Sequence, residues 1–182
     1  DGHTLLLATT TIATSVSLYP KLGYDVMRDL APVSLVVSVH DVMVVHPSLP
    51  VRSVKELVSL AKVRPDALNY GSGGAGTLGN LVAEYFKSET GTRITHIPYN
   101  GTGPALTSLL SGEVQLLFTS PGSAILANAR AGKLRGLAVA SAKRDANMSE
   151  IPTFAEAGYP GIVSDGWYGV LTSAGTPQDV IE

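Results

Sequence analysis

The feature that most constrains this fold is a repeated alternation of short β-branched segments with segments whose apolar residues recur at helical spacing. Residues 33–46 form a β-branched run long enough for two strands, with a bend near His40-Asp41. Ser53 then opens a capping box with Glu56, where a helix is expected to begin. Because strand–helix units place helices over the sheet they connect, the alternation predicts an α/β fold with mainly parallel sheets and helices on both faces.

The same patterns define the other expected elements. Besides the run at 33–46, strands are predicted at residues 5–9, 67–70, 94–99, 114–119, 134–141 and 163–173, the first of them buried. Helices are predicted after Thr77, Pro104 and Ser120-Pro121, at 151–158, and after Thr176-Pro177. Three of these helices are expected to end at Gly91, Gly112 and Gly132.

Composition limits the classes of partner. Of the 182 residues, 45% are hydrophobic and 15% are charged, which is the balance of a folded protein and not of a disordered one. The formal net charge is −2 and no basic run occurs, so neither nucleic acid nor an anionic membrane surface is an expected partner. The lack of cysteine in the sequence excludes disulfides, thiolate metal ligands and thiol nucleophiles.

Three predicted helices are entered through short uncharged loops that directly follow a strand. These loops span residues 71–77, 100–104 and 120–123 and consist mostly of glycine, serine, threonine and proline. The first N–H groups of a helix lack acceptors and carry partial positive charge, and glycines let a ligand approach them closely. Because ligands of α/β sheets sit at the carboxyl ends of strands, these loops predict a site for a small anion, in particular a carboxylate.

Two other interpretations of these loops stay open from the residues alone. Glycine turns and helix caps also occur without any ligand. Residues 71–76 match G-x-G-x-x-G between a strand and a helix, which is typical of a dinucleotide-binding enzyme domain. That fingerprint requires an acidic residue about 20 positions further on, whereas the next predicted strand ends in Pro98-Tyr99-Asn100. A phosphate-binding P-loop would require a lysine before Thr77.

No residues show the spacing of a catalytic or metal-binding set. G-x-S-x-G and H-E-x-x-H are both missing from the sequence, and no two histidines lie four residues apart. His46 and His96 lie on or at the end of predicted strands and are expected to be structural. Asp41 and Asp165 lie in or beside apolar strands, where each would either face a cleft or belong to a turn. We therefore predict a binding protein without catalytic residues, a metal site or a cofactor.

Many of these segments also carry a family resemblance. The chain resembles the Bug family, the periplasmic solute-binding proteins of tripartite tricarboxylate transporters, over essentially its whole length. The resemblance is carried, in order along the chain, by residues 18–25, 29–34, 68–77, 97–105, 110–114, 131–139, 152–160 and 166–169.

The resemblance implies a two-lobe fold of the type II periplasmic-binding-protein kind. Residues 1–39 and 165–182 would form part of lobe one, and residues 40–164 would form lobe two. The lobes would close on a small carboxylate in the periplasm and deliver it to a membrane permease. The implied ligand-binding residues are Ser72, Gly73, Gly74, Thr77, Tyr99, Gly101 and Thr102, with Thr9, Thr10 and Ser120 as further positions.

The resemblance also implies that part of lobe one lies outside this chain. Its first strand, glycine-rich loop and long helix would precede Asp1, and its C-terminal helix would follow Glu182. A lobe divided in this way would expose apolar strands, so the chain is expected to dimerise or exchange segments. Two positions depart from the family: Asn80 stands where histidine is frequent, and Gln115 stands where aspartate is frequent.

Overall fold

The computed structural model describes residues 3–181, and these divide into two compact units. The smaller unit comprises the described residues up to Val39 together with those from Asp165 onward, and the larger unit is His40–Ser164. In chain order the elements are β1 (Leu6–Thr9), α1 (Thr11–Leu18), α2 (Val26–Asp29), β2 (Leu30–Val39), β3 (Val42–Val45), α3 (Val54–Val63), β4 (Asn69–Ser72), α4 (Leu78–Thr90), β5 (Thr95–Pro98), α5 (Thr102–Ser111), β6 (Leu116–Thr119), α6 (Ser123–Arg130), β7 (Arg135–Val139), β8 (Gly166–Ser173) and α7 (Gln178–Ile181). Within the described range, none of the helices is both long and apolar enough to cross a membrane.

The larger unit contains a five-stranded sheet in the order β5-β4-β6-β3-β7. Strand β4 runs parallel to both β5 and β6, whereas β3 runs antiparallel to both of its neighbours, β6 and β7. Four of the five strands therefore point the same way. This mixed, mostly parallel sheet confirms the α/β fold predicted from the alternation of strands and helices.

Helices cover both faces of this sheet, because successive side chains of a strand point to opposite faces. On β3, Met43 and Val45 belong to one buried cluster, together with residues of α3 and α4. Val42 and Val44 belong to a second cluster, together with residues of α5 and α6. All four residues of β3 are completely buried, so this strand lies at the centre of the larger unit's core.

Several helix ends follow the chemistry seen in the sequence. The Ser53 hydroxyl accepts a hydrogen bond from Glu56 N at 3.2 Å, while the Glu56 carboxylate accepts one from Arg52 N at 2.6 Å. The predicted capping at the start of α3 is therefore confirmed. Gly91 and Gly112 adopt φ values of 61° and 80°, the left-handed conformation that ends α4 and α5.

The smaller unit contains a three-stranded sheet in the order β1-β8-β2, and both of its strand pairs are antiparallel. Strand β1 was expected to be buried, and that prediction is wrong: only Ala8 is buried, and Leu7 is 64% exposed. The β-branched run at 33–46 does divide into two strands, β2 and β3, with His40 and Asp41 between them.

Several predicted boundaries and one predicted helix are wrong. Helix α5 begins at Thr102 and not after Pro104. Strand β4 extends through Ser72 because its parallel pairing with β5 continues to Ser72 opposite Pro98. Helix α6 begins at Ser123 and not at Ser120-Pro121, since Gly122 N donates to Ser120 O in a tight turn. Residues 151–158 form turns and no helix, because their backbone is used elsewhere: Phe154 N donates to Val139 O on β7.

Candidate ligand-binding site

Two of the three predicted loops meet at the carboxyl edge of the larger unit's sheet. Tyr99 N, directly after β5, donates to Ser72 O at 3.0 Å, and Gly101 N donates to Gly73 O at 3.1 Å. A Cβ atom placed on Gly73 would lie 3.3 Å from Thr102 N and 3.4 Å from its hydroxyl oxygen. The loop between β4 and α4 (residues 73–77, the glycine loop) and the loop between β5 and α5 therefore form one continuous surface.

Hydrogen bonds within the glycine loop fix its conformation. Gly74 and Gly76 have φ values of 128° and 78°, a region in which residues with a side chain are strained. The Ser72 hydroxyl accepts from Gly74 N at 3.1 Å, and the Thr77 hydroxyl donates to Gly74 O at 2.8 Å. The loop is thus held in one shape before any ligand arrives.

The backbone donors that remain at this surface come from both loops. Among residues 3–181, the N–H groups of Gly73, Ala75 and Leu78 have no hydrogen-bond acceptor, and the same holds for Thr102 N and Gly103 N at the start of α5. These groups lie in the glycine loop or in the first turns of α4 and α5, where helix dipoles add partial positive charge. The arrangement favours a negatively charged ligand.

Three predicted ligand residues have hydroxyl groups that are already engaged inside the unit. The Ser72 hydroxyl is fully buried and lies 2.7 Å from His96 Nε2. Thr77 precedes α4 but does not cap it with its side chain, since its hydroxyl donates to Gly74 O. The Tyr99 hydroxyl is hydrogen-bonded to Ser108. These residues contribute backbone and shape to the site, whereas Thr102 is exposed and its hydroxyl has no hydrogen-bond partner in the described part of the chain.

The remaining predicted positions lie apart from this loop pair in the chain. Thr10 and Thr9 belong to the smaller unit, where the Thr10 hydroxyl accepts from Trp167 N at 3.0 Å and that of Thr9 accepts from Thr11 N at 3.3 Å. Ser120 follows β6 and is half-buried, and its carbonyl accepts from Gly122 N at 2.8 Å.

Two residues named in the sequence analysis, Asn80 and His96, support the glycine loop from the inside, a role that the sequence did not indicate. Asn80 is buried; its Oδ1 accepts from Gly76 N at 3.0 Å, and its Nδ2 donates to the Tyr70 hydroxyl at 2.8 Å. The Tyr70 hydroxyl in turn donates to Glu84, which pairs with Lys87 at 2.8 Å. At this departure from the family pattern, the side chain therefore serves the loop and does not face a ligand.

His96 is the second supporting residue. Its ring stacks on Tyr70 with centroids 4.6 Å apart, and its Nε2 lies within hydrogen-bond distance of the Ser72 hydroxyl. Burial lowers the pKa of His96, so the neutral imidazole is favoured next to Ser72. Its place on a predicted strand indicated a structural role, whereas its stacking on Tyr70 depends on the parallel register of β4 and β5.

Asp41 lies at the same edge of the sheet and is neither a turn carboxylate nor exposed. The residue is 2% exposed, and its Oδ2 has no hydrogen-bond partner among the described residues. Burial raises the pKa of Asp41 to about 7. Asp165, the other acidic residue singled out in the sequence, is exposed.

Other features of the structure do not coincide with the loop pair. Within residues 3–181, no three His, Asp or Glu side chains are grouped as metal ligands would be. A surface cavity of about 270 Å³ lies in the smaller unit, lined by apolar and aromatic residues that include Val16, Tyr19, Tyr24 and Met27. Since none of the predicted ligand residues lines it, the loop pair, with its convergent donors, is the better candidate site.

Comparisons with known proteins show which family this chain is similar to. The family model for the tripartite tricarboxylate transporter family receptor, TctC, matches residues 1–182. BugT from Bordetella pertussis is 38% identical over 183 residues, which cover 100% of this chain and 56% of BugT. An R. palustris protein solved with adipate is 40% identical with a TM-score of 0.93, over 100% of this chain and 60% of that one. For MatC from Rhodopseudomonas palustris with bound malate, the identity is 29% and the TM-score 0.91, over 100% of this chain and 62% of MatC.

These comparisons bear on the dinucleotide-binding alternative that the sequence left open. The chain spans little more than half the length of the curated relatives that it matches end to end. The family model describes a transporter receptor, and one solved neighbour is the periplasmic binding protein BugD, so these findings contradict the dinucleotide-binding enzyme alternative for residues 71–76. Consistent with this, β5 ends at Pro98 without the acidic residue that a dinucleotide site requires. The chain belongs to the tripartite tricarboxylate transporter family of receptors, as its resemblance to the Bug proteins implied.

Proposed function

We propose that this chain is the greater part of a periplasmic receptor that binds a small carboxylate at the glycine loop and at the start of α5. The single observation that carries the proposal is the hydrogen bond from Gly101 N to Gly73 O, which brings the free N–H groups of two helix starts onto one uncharged surface. The ligands of two similar proteins, adipate and malate, are both dicarboxylates, which supports the same ligand class here.

The strength of such a site follows from its donors. A hydrogen bond to a charged group contributes about 1.5–3 kcal/mol, and a helix N-terminus adds about 0.3–1 kcal/mol. Four or five such contacts exceed the free energy lost on association enough for a dissociation constant of about 1 μM. Because the glycine loop is already fixed by Ser72, Thr77 and Asn80, little further ordering opposes binding.

The wider role follows from the family. In this proposal, the residues up to 39 and from 165 onward belong to one lobe and residues 40–164 form the other, and the two lobes close on the ligand. Closure would be driven by contacts that form only in the closed state. The loaded receptor then delivers its carboxylate to the membrane permease of a tripartite tricarboxylate transporter. In this proposal, Thr10 and Ser120 also contact the bound ligand.

Calorimetric titration tests the proposal directly. Adipate and malate are titrated into this chain and into the full-length receptor, with adipamide as an uncharged ligand of matched length and NAD as the probe for the rejected alternative. We expect a dicarboxylate to bind with a dissociation constant of about 1 μM to the full-length receptor and adipamide to bind at least tenfold more weakly. Binding of NAD, or equal binding of adipate and adipamide, would contradict a carboxylate site.

A further inference from the structure

Asp41 is a buried carboxyl group that the proposed site does not use. Its Oδ2 has no hydrogen-bond partner among residues 3–181, although the residue is only 2% exposed. An ionised carboxylate removed from water without a donor is strongly unfavourable, and a polar group left unsatisfied in this way calls for a physical explanation.

The position of Asp41 connects it with the anion site. Strand β3 runs antiparallel to β6 with Val42 opposite Thr119, so Asp41 lies at the sheet edge where β6 ends and the loops begin. Its Oδ2 is 3.7 Å from the point where a Cβ on Gly79 would lie, and Gly79 is in the first turn of α4. The glycine loop leads into that same helix start. Asp41 and a ligand bound at the glycine loop would therefore both lie beside the N-terminus of α4.

The elements packed around Asp41 offer no compensating charge. Strands β3 and β6 and the first turn of α4 contain no titratable side chain, and the nearest one along α4 is Glu84. On β7, Arg135 lies opposite Val45 in the strand register, at the end of β3 that is far from Asp41. His40, the preceding residue, is paired with Asp145 at 3.0 Å. Burial is therefore the cause of the raised pKa of Asp41.

We propose that Asp41 takes up one proton from solvent when a carboxylate binds at the N-terminus of α4, so that the affinity for anions depends on pH. Two like charges beside one helix start and out of water repel each other, and the repulsion favours the protonated form of the carboxyl that is not the ligand. This inference rests on the proposed function. In this proposal, Asp41 determines which ligand charge the site accepts, although it does not touch the ligand.

The direction in which the affinity changes with pH follows from the coupling between ligand binding and proton binding at Asp41. The free protein holds Asp41 about half protonated near pH 7, the value of its pKa, and the complex holds it protonated to a higher pH. Above pH 7 the proton must therefore be acquired on binding, so affinity falls as pH rises. We expect adipate binding to weaken by about threefold to tenfold between about pH 6 and about pH 8.

The test is a pH series of calorimetric titrations of adipate into the full-length receptor and its Asp41→Asn variant. Carboxylates of the ligand stay ionised above about pH 6, so the ligand itself contributes no slope, and any slope that comes from His96 would persist in Asp41→Asn. Glu89→Gln, which neutralises an exposed carboxylate at the other end of α4, is the matched control. The wild type and this control should show the slope, and Asp41→Asn should lose it.

A second measurement needs no variant. Titrations at about pH 7 in buffers with different ionisation enthalpies report how many protons are taken up on binding, and we expect about half a proton for each adipate. A flat pH profile without proton uptake would overturn the role of Asp41 while leaving the carboxylate site in place. A pH slope of the affinity that persists in Asp41→Asn would also overturn the role of Asp41 and leave the carboxylate site in place. Absence of dicarboxylate binding at every pH would instead overturn the proposed function, and this inference with it.

Discussion

The two units contain similar β-branched segments but bury them to different degrees. In the larger unit every residue of β3 is completely buried, with a helix-covered cluster on each face. In the smaller unit the equally apolar residues Leu35, Val36 and Val37 of β2 are exposed, and Ala8 is the one apolar residue buried in the described part of that unit. A β-branched run thus predicts a strand in both cases, whereas its burial depends on helices contributed from elsewhere in the chain.

The largest expected effect is at Gly79, where the core of the larger unit has no space. A Cβ there would lie 2.1 Å from the backbone oxygen of Phe118, which cannot move without displacing β6. We expect Gly79→Ala to lower the free energy of unfolding by about 3 kcal/mol, although alanine is the better helix former. Gly103→Ala in α5 is the matched control, since nothing lies within 4 Å of its Cβ position. Urea unfolding of both variants makes the comparison, and equal stabilities would contradict the close packing of α4 on β6.

Asp41→Asn should reveal the energetic cost of a charge in the same core. The folded-state pKa of about 7 lies above the ordinary value of 3.8, so between these values the folded protein binds more protons than the unfolded chain. Stability therefore falls as pH rises through this window, and the loss is complete above about pH 7. We therefore compare the free energies of unfolding of Asp41→Asn and wild type at two pH values. We expect the difference in favour of the variant to be larger at pH 8 than at pH 4 by about 1–3 kcal/mol, measured by thermal unfolding. A gain that does not change with pH would contradict a buried ionisable Asp41.

Tyr70→Phe tests the hydrogen-bonded chain behind the glycine loop. The change leaves the Asn80 amide without its acceptor in a buried environment, so we expect a loss of about 1–2 kcal/mol together with weaker ligand binding. Tyr24→Phe in the smaller unit is the matched control, because Tyr24 is exposed. Denaturant unfolding and adipate titration are measured on both, and equal behaviour would mean that the chain does not stabilise the loop.

The smallest effect on stability is expected from the exposed strand of the smaller unit. Leu35→Thr introduces a β-branched residue, which suits a strand, and removes an apolar side chain that is 64% exposed, so the free energy of unfolding should change by less than about 0.5 kcal/mol. Its effect should appear in self-association, which light scattering over a range of concentrations measures. If the 182-residue chain is monomeric at all concentrations, the exposed strands do not cause dimerisation or segment exchange.

Features with a local chemical cause could be predicted from the sequence. Ser53 and Glu56 form their helix start within four residues, and Gly91 and Gly112 end helices because glycine readily adopts the left-handed conformation. The predicted helix at 151–158 is wrong for a non-local reason: backbone groups of this segment bond to Val139 on β7. Local propensity could not anticipate that pairing.

The candidate site likewise has features that could be predicted from the sequence and features that could not. Its place at the ends of β4 and β5 was predictable, because parallel strands bring the loops that follow them to one edge. The engagement of the Ser72, Thr77 and Tyr99 hydroxyls was not, since their partners lie in the three-dimensional arrangement of the loop and of α5. The sequence marked Asn80 only as a departure from the family pattern, and its hydrogen bonds with Gly76 and Tyr70 became visible only in the structure.

The central claim is that the glycine loop and the start of α5 bind a carboxylate together, and one calorimetric comparison tests it most directly. Gly73→Ala places a methyl group 3.3 Å from Thr102 N, at the junction of the two loops, whereas Gly122→Ala before α6 meets nothing within 4 Å. With adipate as ligand, the account predicts at least about tenfold weaker binding for Gly73→Ala, the loss of roughly one hydrogen bond to a charged group, and an unchanged affinity for Gly122→Ala. Equal affinities for wild type and both variants would contradict a site at this junction.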